Sequence, residues 1–582
     1  MAIVDGTVSD VILAILKKHG VRYFCGLPAA QIGLVMHGAS SDPAFKYVTT
    51  RHEEAAGHMA HAISRTSGTL GVCFATVGPG ASNLVPGVAA AFADNIPMVV
   101  ITGQNQAAQV DPSRDQLQSL DQLGLYRAIT KWSASVHHAE RAAELTERAV
   151  HMALSGRPGP VHLDIPCDVG TFPCRYDLAS VPPYTAFRYL PSPAELDRVV
   201  TALRGARRPL LLAGGGVVRS GGVAEFRKLV QLTGFPSTTT MMGRGTVAPE
   251  DDSYIGSGGA IGGKGALEAM QTADVILAVG CKFSTWTLVD KRPRFAKPAG
   301  QKIIQLDIDP AVIGKTVAVD IGLVGDAAET LRALANQMGE GGPFALDVGW
   351  RNKLRQTYLA YRSEVDQIAN TKVVGAPELP NEATLARALA ETLPRDALVA
   401  IDGGQTMMWM STFYRPADPA AVLSEPGMGH LGFGLPFANA AKLVHPNRPV
   451  VCVAGDGAFG LTVQELETAA RYHLNTVCIV FNDSYWGMYR PLAEMFQNKN
   501  FGTKLTDVNF ARVAEGFGCW GEQVAGVDAL PAAYARAVRS GKPAVLDVRT
   551  VYTPHPMDFI WNEVILQGVH LRPPAAAQDV AA

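Results

Sequence analysis

Val450-Val451-Cys452-Val453-Ala454-Gly455-Asp456-Gly457-Ala458 is an apolar run that breaks on a glycine-flanked aspartate. A second apolar run, 476–481, breaks on Asn482-Asp483, and a helix-like stretch, 461–472, lies between the two. Short apolar runs bounded by turn signals read as strands buried on both faces, and strand, helix and strand in succession read as a parallel α/β unit. In such sheets ligands sit off the carboxyl ends of the strands. Asp456 and Asp483 both fall there, 27 positions apart. Glycines around Asp456 let the backbone close on a phosphate and leave its N–H groups free to donate. Two hard oxygen ligands beside a phosphate cradle suit Mg²⁺ holding a diphosphate. A lone Gly-Asp-Gly is an ordinary strand-end turn; the metal reading comes from the second aspartate, at the end of the next strand.

Outward from this stretch the same plan recurs. The chain has 582 residues, too many for one hydrophobic core. Residues 1–180 alternate strand and helix patterns. Strands at 21–26, 45–50, 71–76 and 97–102 end in Leu27-Pro28-Ala29-Ala30, Arg51-His52-Glu53-Glu54, Gly78-Pro79-Gly80-Ala81 and Gly103-Gln104. Helices are expected at 9–19, from 53 to about 65, and at 84–94, where small residues let the helix lie close to a sheet or another chain. A proline- and aromatic-rich linker, 181–193, leads to a second unit, 194–338, with strands at 209–213, 275–279 and 303–308. A polar helical connector follows, then a third unit, 381–550, and a tail, 551–582. Strands alternating with helices argue for α/β domains with parallel sheets.

Composition excludes several classes. The formal net charge is −2 with 18% charged residues, and no basic block marks a nucleic-acid face. Eight cysteines stand singly, with no CxxC pair, and read as reduced core residues rather than a zinc site. No apolar run reaches the roughly 18 residues of a membrane span. The N-terminus lacks a signal-peptide pattern, so the chain reads as cytoplasmic. A nicotinamide dehydrogenase fits poorly, since no GxGxxG follows a first strand.

Taken in order, Arg51-His52-Glu53, Gly78-Pro79-Gly80-Ala81, Gly403-Gly404-Gln405, Gly429-His430-Leu431-Gly432-Phe433-Gly434-Leu435-Pro436, Gly455-Asp456-Gly457 and Asn482-Asp483 resemble the motifs of a known family. It is the thiamine-diphosphate enzymes of the acetolactate synthase, pyruvate decarboxylase and 2-hydroxyacyl-CoA lyase group. The resemblance covers about residues 1 to 550. It implies three α/β domains: a pyrimidine-binding domain (1–180), a nucleotide-binding-like domain (194–338) and a diphosphate- and Mg²⁺-binding domain (381–550).

The resemblance also implies roles. Asp456, Asp483 and the backbone carbonyl of Tyr485 are the implied magnesium ligands; Asp483 stands where the family's commonest form has asparagine. Gly404, Gln405, Thr406, Gly455, Gly457, Ala458 and Ser484 are implied around the diphosphate. Leu431 matches the apolar wedge between the cofactor rings, the Gly429 carbonyl accepts from the pyrimidine amine, and Met488 packs near the ring. Glu53 is the implied catalytic acid that relays a proton on the pyrimidine, with Glu54 its competitor; as a bare pair they would be favourable helix-start acids. Implied on the substrate side are Pro28, Ala29, His52, Gln104, Gln118, His430, Trp486 and Glu494. In the family the acid and the metal site belong to different subunits, which implies a homodimer at least and a homotetramer as the fuller assembly.

The implied reaction is decarboxylation of a 2-oxo acid with transfer to an acceptor carbonyl, on a small-molecule substrate. The alternative is a 2-hydroxyacyl-CoA lyase or an enzyme like oxalyl-CoA decarboxylase. A non-catalytic binding protein on this scaffold would need neither Glu53 nor Asp456. Gly280-Cys281-Lys282-Phe283-Ser284-Thr285-Trp286 lacks the Asp-Asp-Arg that FAD-binding members often carry. That argues against FAD and leaves an ADP or coenzyme A moiety for the central domain. No tryptophan follows Met488 within 489–494, where acetolactate synthases usually have one. The aromatic tail (Phe559, Ile560, Trp561, Val564, Ile565) would be costly to leave exposed, and either a lid over the active-site mouth or a helix docked elsewhere on the domain is expected.

Overall fold

The fold rests on three six-stranded sheets, all parallel, one in each third of the chain. The structure, a computed structural model, describes residues 3–110, 113–181, 184, 187–259, 262–284, 286–287, 298–416, 418–490, 493 and 502–557. The N-terminal sheet runs Lys46–Thr49, Tyr23–Gly26, Gly71–Ala75, Met98–Gln104, Pro160–Pro166, Trp132–Ser135. The C-terminal sheet runs Val422–Leu423, Leu398–Asp402, Val450–Gly455, Val477–Asn482, Ala544–Arg549, Trp520–Val524. Numbered within each domain, both have the order 2-1-3-4-6-5. The central sheet differs: Tyr254–Ser257, Ser237–Thr239, Pro209–Ala213, Val275–Val279, Lys302–Asp307, Ile321–Val324, or 3-2-1-4-5-6. In every case the strand order reverses beside the domain's first strand, and the crevice there is where an open α/β sheet binds ligands.

Central strands are buried along their length because helices cover both faces; Gly71–Ala75, Met98–Gln104, Pro209–Ala213 and Val275–Val279 have no exposed residue. The helix Glu53–Thr66 lies against Val85–Asp94 at glycine spacing: a Cβ on Gly87 would sit 2.7 Å from the backbone of Gly57. Its neighbouring face packs on Gly434–Val444 of the C-terminal domain. Met59, Ile63, Leu84 and Val88 therefore share one apolar cluster with Phe433, Phe437 and Ala441. The small residues of 84–94 thus serve a close helix–helix crossing within this chain.

One element differs from the sequence reading. The stretch 461–472 is not a single helix: Asp456–Leu461 starts at the aspartate itself, and Glu465–Arg471 follows after a break. The break arises where the Thr462 hydroxyl donates to the Gly432 carbonyl at 2.6 Å, tying this segment to the glycine-rich turn. All eight cysteines are free thiols and six are buried. Among the described residues no helix is long and apolar enough to cross a membrane.

Candidate active site

At the crevice of the C-terminal sheet, between Leu398–Asp402 and Val450–Gly455, lies a cavity of about 540 Å³. Its walls include Gly404, Gln405, Thr406, Gly455, Asp456, Gly457 and Ala458 from the two turns that leave those strands. Gly429, His430 and Leu431 close another side, and Asp483, Tyr485, Trp486 and Met488 a third. Of the residues expected around the cofactor and metal, only Ser484 is absent from the wall. Its N–H instead donates to Asp456 Oδ2 at 2.7 Å, from a left-handed φ of 61°.

The glycines are explained by what presses on them. A Cβ on Gly457 would meet the Trp486 ring at 2.8 Å, and one on Gly404 would meet Met488 Sδ at 2.6 Å. The segment after the metal loop thus folds down over both cradle turns. Gly403 (φ 94°) and Gly429 (φ 69°) have backbones that a side chain would strain. Leu431 is half-buried and borders the cavity, unlike a core leucine.

Asp456 and Asp483 face a common point. Burial and then the charge of Asp483 push the Asp456 carboxyl up to about 7; burial pushes Asp483 up to about 6. Asp456 accepts from the N–H groups of Gly457 and Ser484, and Asp483 Oδ1 accepts from the Tyr485 N–H at 3.1 Å. Asp483 Oδ2 is buried with no hydrogen-bond partner. Two crowded, buried carboxylates with one oxygen unsatisfied are a site that a divalent cation would complete.

Several residues of this site were not legible in the sequence. Asp402 ends its strand, fully buried, and accepts from the N–H groups of Gly403 (2.6 Å), Gly432 (3.0 Å) and Gly434 (2.8 Å). It thereby holds the first cradle turn against the glycine-rich turn; burial pushes its carboxyl up to about 7. The only signal was its place directly before Gly403-Gly404. Glu465 accepts from the backbone N–H groups of Arg51 and His52, fixing the loop that leads into Glu53. Glu382 and Trp286 also line the cavity. Thr553 joins the back of the site, its carbonyl accepting from Gln405 Nε2 (2.9 Å) and Trp409 Nε1 (3.1 Å). The Arg490 guanidinium is sandwiched between the rings of Tyr485 (4.7 Å) and Tyr552 (4.5 Å).

The N-terminal domain presents a second constellation. Glu53 opens its helix and is buried; its Oε2 accepts from Asn83 Nδ2 at 3.1 Å, and a Cβ on Gly80 would sit 3.3 Å from its Oε1. Gln118 is exposed, with its carbonyl against Gly78. Exposed Pro28 and half-buried Ala29 follow Tyr23–Gly26 at the same sheet edge. Two expected substrate-side residues make hydrogen bonds within the N-terminal domain. Gln104 is buried and donates to Asp164 Oδ2 at 3.3 Å, and His52 Nδ1 accepts from the Glu54 N–H as the helix cap. Glu54 points away from Glu53's partner Asn83, toward His58 and His430. No described residue of the N-terminal domain lines the 540 Å³ cavity. Glu494 and 558–582, the bulk of the expected lid, lie outside the described residues.

A second cavity, of about 290 Å³, occupies the crevice of the central sheet. Gly215, Gly216, Gly280 and Lys282 line it with Arg157, Arg188 and Arg219, facing Asp307 and Asp326.

Comparison with known proteins agrees with this geometry. The thiamine pyrophosphate enzyme family matches in three parts: its N-terminal TPP binding domain over residues 6–125, its central domain over 196–334 and its C-terminal TPP binding domain over 402–548. The chain is 33% identical over 561 residues to the probable acetolactate synthase large subunit of Methanocaldococcus jannaschii, covering 93% of this chain and 91% of that one. It is 33% identical over 540 residues to the acetolactate synthase isozyme 2 large subunit of Escherichia coli, covering 92% and 93%. It is 32% identical over 553 residues to the acetolactate synthase of Arthrospira platensis, covering 92% of each. With these three matched domains, and with glycine turns and two aspartates lining the C-terminal crevice, this chain belongs to the thiamine pyrophosphate enzyme family.

Proposed function

We propose that the protein decarboxylates a 2-oxo acid and joins the remaining acyl carbon to an acceptor carbonyl, using thiamine diphosphate and Mg²⁺ at sites shared between two chains. The observation that supports this most is the division of the chemistry. The cradle and the aspartate pair lie at the C-terminal crevice, while the buried acid Glu53 lies at the matching crevice of the N-terminal sheet and does not reach that cavity in its own chain. A second copy, placing its N-terminal crevice over the C-terminal one, completes the site.

When bound, thiamine diphosphate supplies a nucleophilic carbon and an electron sink. The chain's own residues do the rest. Asp456, Asp483 and the Tyr485 carbonyl would hold Mg²⁺, and its charge would offset the crowding of the two carboxylates. The N–H groups of the two cradle turns offer donors to the diphosphate. Leu431 would supply an apolar edge to the cofactor site. Glu53 of the partner subunit would hold the proton to be exchanged with the cofactor's pyrimidine ring. Trp486 and His430 wall the side on which substrate enters, and Met428 stands half-exposed at the mouth.

The central cavity supports a second reading of the substrate. Four cations around glycine turns at a 3-2-1-4-5-6 crevice suit the diphosphate of an ADP or coenzyme A moiety. Both readings are tested together. Protein supplied with thiamine diphosphate and Mg²⁺ is offered short 2-oxo acids, alone and with aldehydes or acyl-CoA thioesters, and carbon dioxide and ligation products are measured. Release of carbon dioxide with a 2-hydroxy-3-oxo acid as product supports the first reading. A product that forms only with the thioester supports the second. A cofactor-loaded protein that does neither contradicts both.

A further inference from the structure

We propose that Glu54, His58 and His430 form a binding site for a divalent transition-metal ion of the Zn²⁺ or Co²⁺ class, separate from the Asp456–Asp483 pair. Glu54 and His58 stand one turn apart on Glu53–Thr66, so both side chains leave the same face. His430 reaches them from the glycine-rich turn of the C-terminal domain. Glu54 Oε1 is 3.7 Å from His58 Nε2 and 3.6 Å from His430 Nδ1, and the three ligand atoms lie within 4.8 Å of one another.

Metal–ligand bonds of about 2.0–2.1 Å at tetrahedral angles space ligand atoms about 3.4 Å apart. The two edges at Glu54 are within a few tenths of an ångström of that spacing. The third edge closes by a small turn of the His430 ring, whose side chain is 25% exposed and has room to move.

A second observation points to a missing ligand. His58 is fully buried, yet neither ring nitrogen has a hydrogen-bond partner, and His430 Nδ1 is buried and unpartnered too. Leaving such groups unsatisfied in the interior is costly. On the far side of the His58 ring, Nδ1 faces Glu425 Oε2 at 3.7 Å, and that oxygen is also buried without a partner. Carboxylate, histidine and metal in line is the arrangement that orients metal-bound imidazoles. Burial also lowers the His58 pKa, favouring the neutral ring that binds a metal. Two imidazoles and one carboxylate select a borderline transition metal over Mg²⁺, which prefers an all-oxygen octahedron. Bound there, the ion would lock the helix that starts at Glu53 to the turn that carries Leu431.

The test uses full-length protein stripped with a chelator and titrated with Co²⁺ alone, in the presence of excess Mg²⁺. The expected result is one Co²⁺ per chain with the visible spectrum of a nitrogen-ligated, four- or five-coordinate ion. Asp456→Asn should keep that spectrum, while His430→Gln and Glu54→Gln should each weaken binding at least about tenfold. X-ray absorption of the Zn²⁺-loaded wild type, which depends on no variant folding, should count two imidazoles. An oxygen-only, six-coordinate Co²⁺ spectrum in the wild type, or fewer than two imidazoles on Zn²⁺, would overturn the proposal. Equal affinity in folded His430→Gln and Glu54→Gln would overturn it as well.

Discussion

Asp402 contacts no part of the proposed substrate, but it determines the shape of the site. Three backbone N–H groups from two turns converge on its carboxylate. Asp402→Ala strands those donors in a buried place, at a cost of roughly 3 kcal/mol. A thermal-unfolding scan should show a matching loss, with thiamine diphosphate binding weakened in parallel. An unchanged melting temperature would mean that the turns hold themselves. Glu53→Gln tests a different role. It keeps the side chain's shape and its bond to Asn83, so cofactor binding followed by fluorescence quenching should persist while kcat falls about 10²–10⁴-fold. Asp456 and Asp483 drew attention in the sequence because two acids end successive apolar runs, which places both at one edge of a parallel sheet. Asp402 and Glu465 did not: a single buried carboxylate does not announce which distant N–H groups it will meet. Gln104, which the resemblance places on the substrate side, is buried and bonds into the Asp164 network.

At the scale of elements, the helix Glu53–Thr66 is held by its two neighbours. Gly87 lets Val85–Asp94 approach its backbone, and a Cβ there would sit 2.7 Å from Gly57. Gly87→Ala should therefore cost about 1–3 kcal/mol and lower kcat by shifting the helix start, although it lies outside the cavity. Kinetics and unfolding on the same variant check both effects, and wild-type values for both would contradict the close crossing. Glu465 gives this contact a pH dependence. Burial lifts its carboxyl from 4.5 to about 7, so the folded chain keeps a proton that the unfolded chain releases. That stabilisation is whole below about pH 4.5 and is lost as pH rises through about 7. Glu465→Gln should thus gain stability relative to wild type between pH 5 and pH 8, read as a rising difference in melting temperature; a flat difference would contradict the shift. Strands and helices with strong apolar patterns were readable to within about two residues. The broken helix after Asp456 was not, because its break depends on Thr462 reaching a carbonyl thirty positions away. Removing residues from 552 onward deletes the Thr553 carbonyl behind Gln405 and should weaken cofactor binding; unchanged binding would contradict that support.

The whole molecule reads as one idea used twice. The N- and C-terminal sheets share the strand order 2-1-3-4-6-5, and in the function proposed above each offers half of an active site at its crevice. Sequence patterns revealed the alternation of strands and helices. They did not reveal the strand order, because which edge a new strand joins depends on helix packing over hundreds of residues. The central sheet, with its order 3-2-1-4-5-6, does not repeat the plan of the other two. The claim on which everything else depends is that Glu53 of one chain serves the Asp456 site of another. Subunit complementation tests it most directly. Glu53→Gln and Asp456→Asn chains, each inactive alone, are unfolded and reassembled together in equal amounts. Half of the resulting dimers are hybrids, and each hybrid contains one site with both residues intact. The two-chain site predicts recovery to about a quarter of wild-type turnover. If each chain built its own site, every site in the mixture would lack one of the two residues, and activity no higher than that of the separate variants would contradict the account.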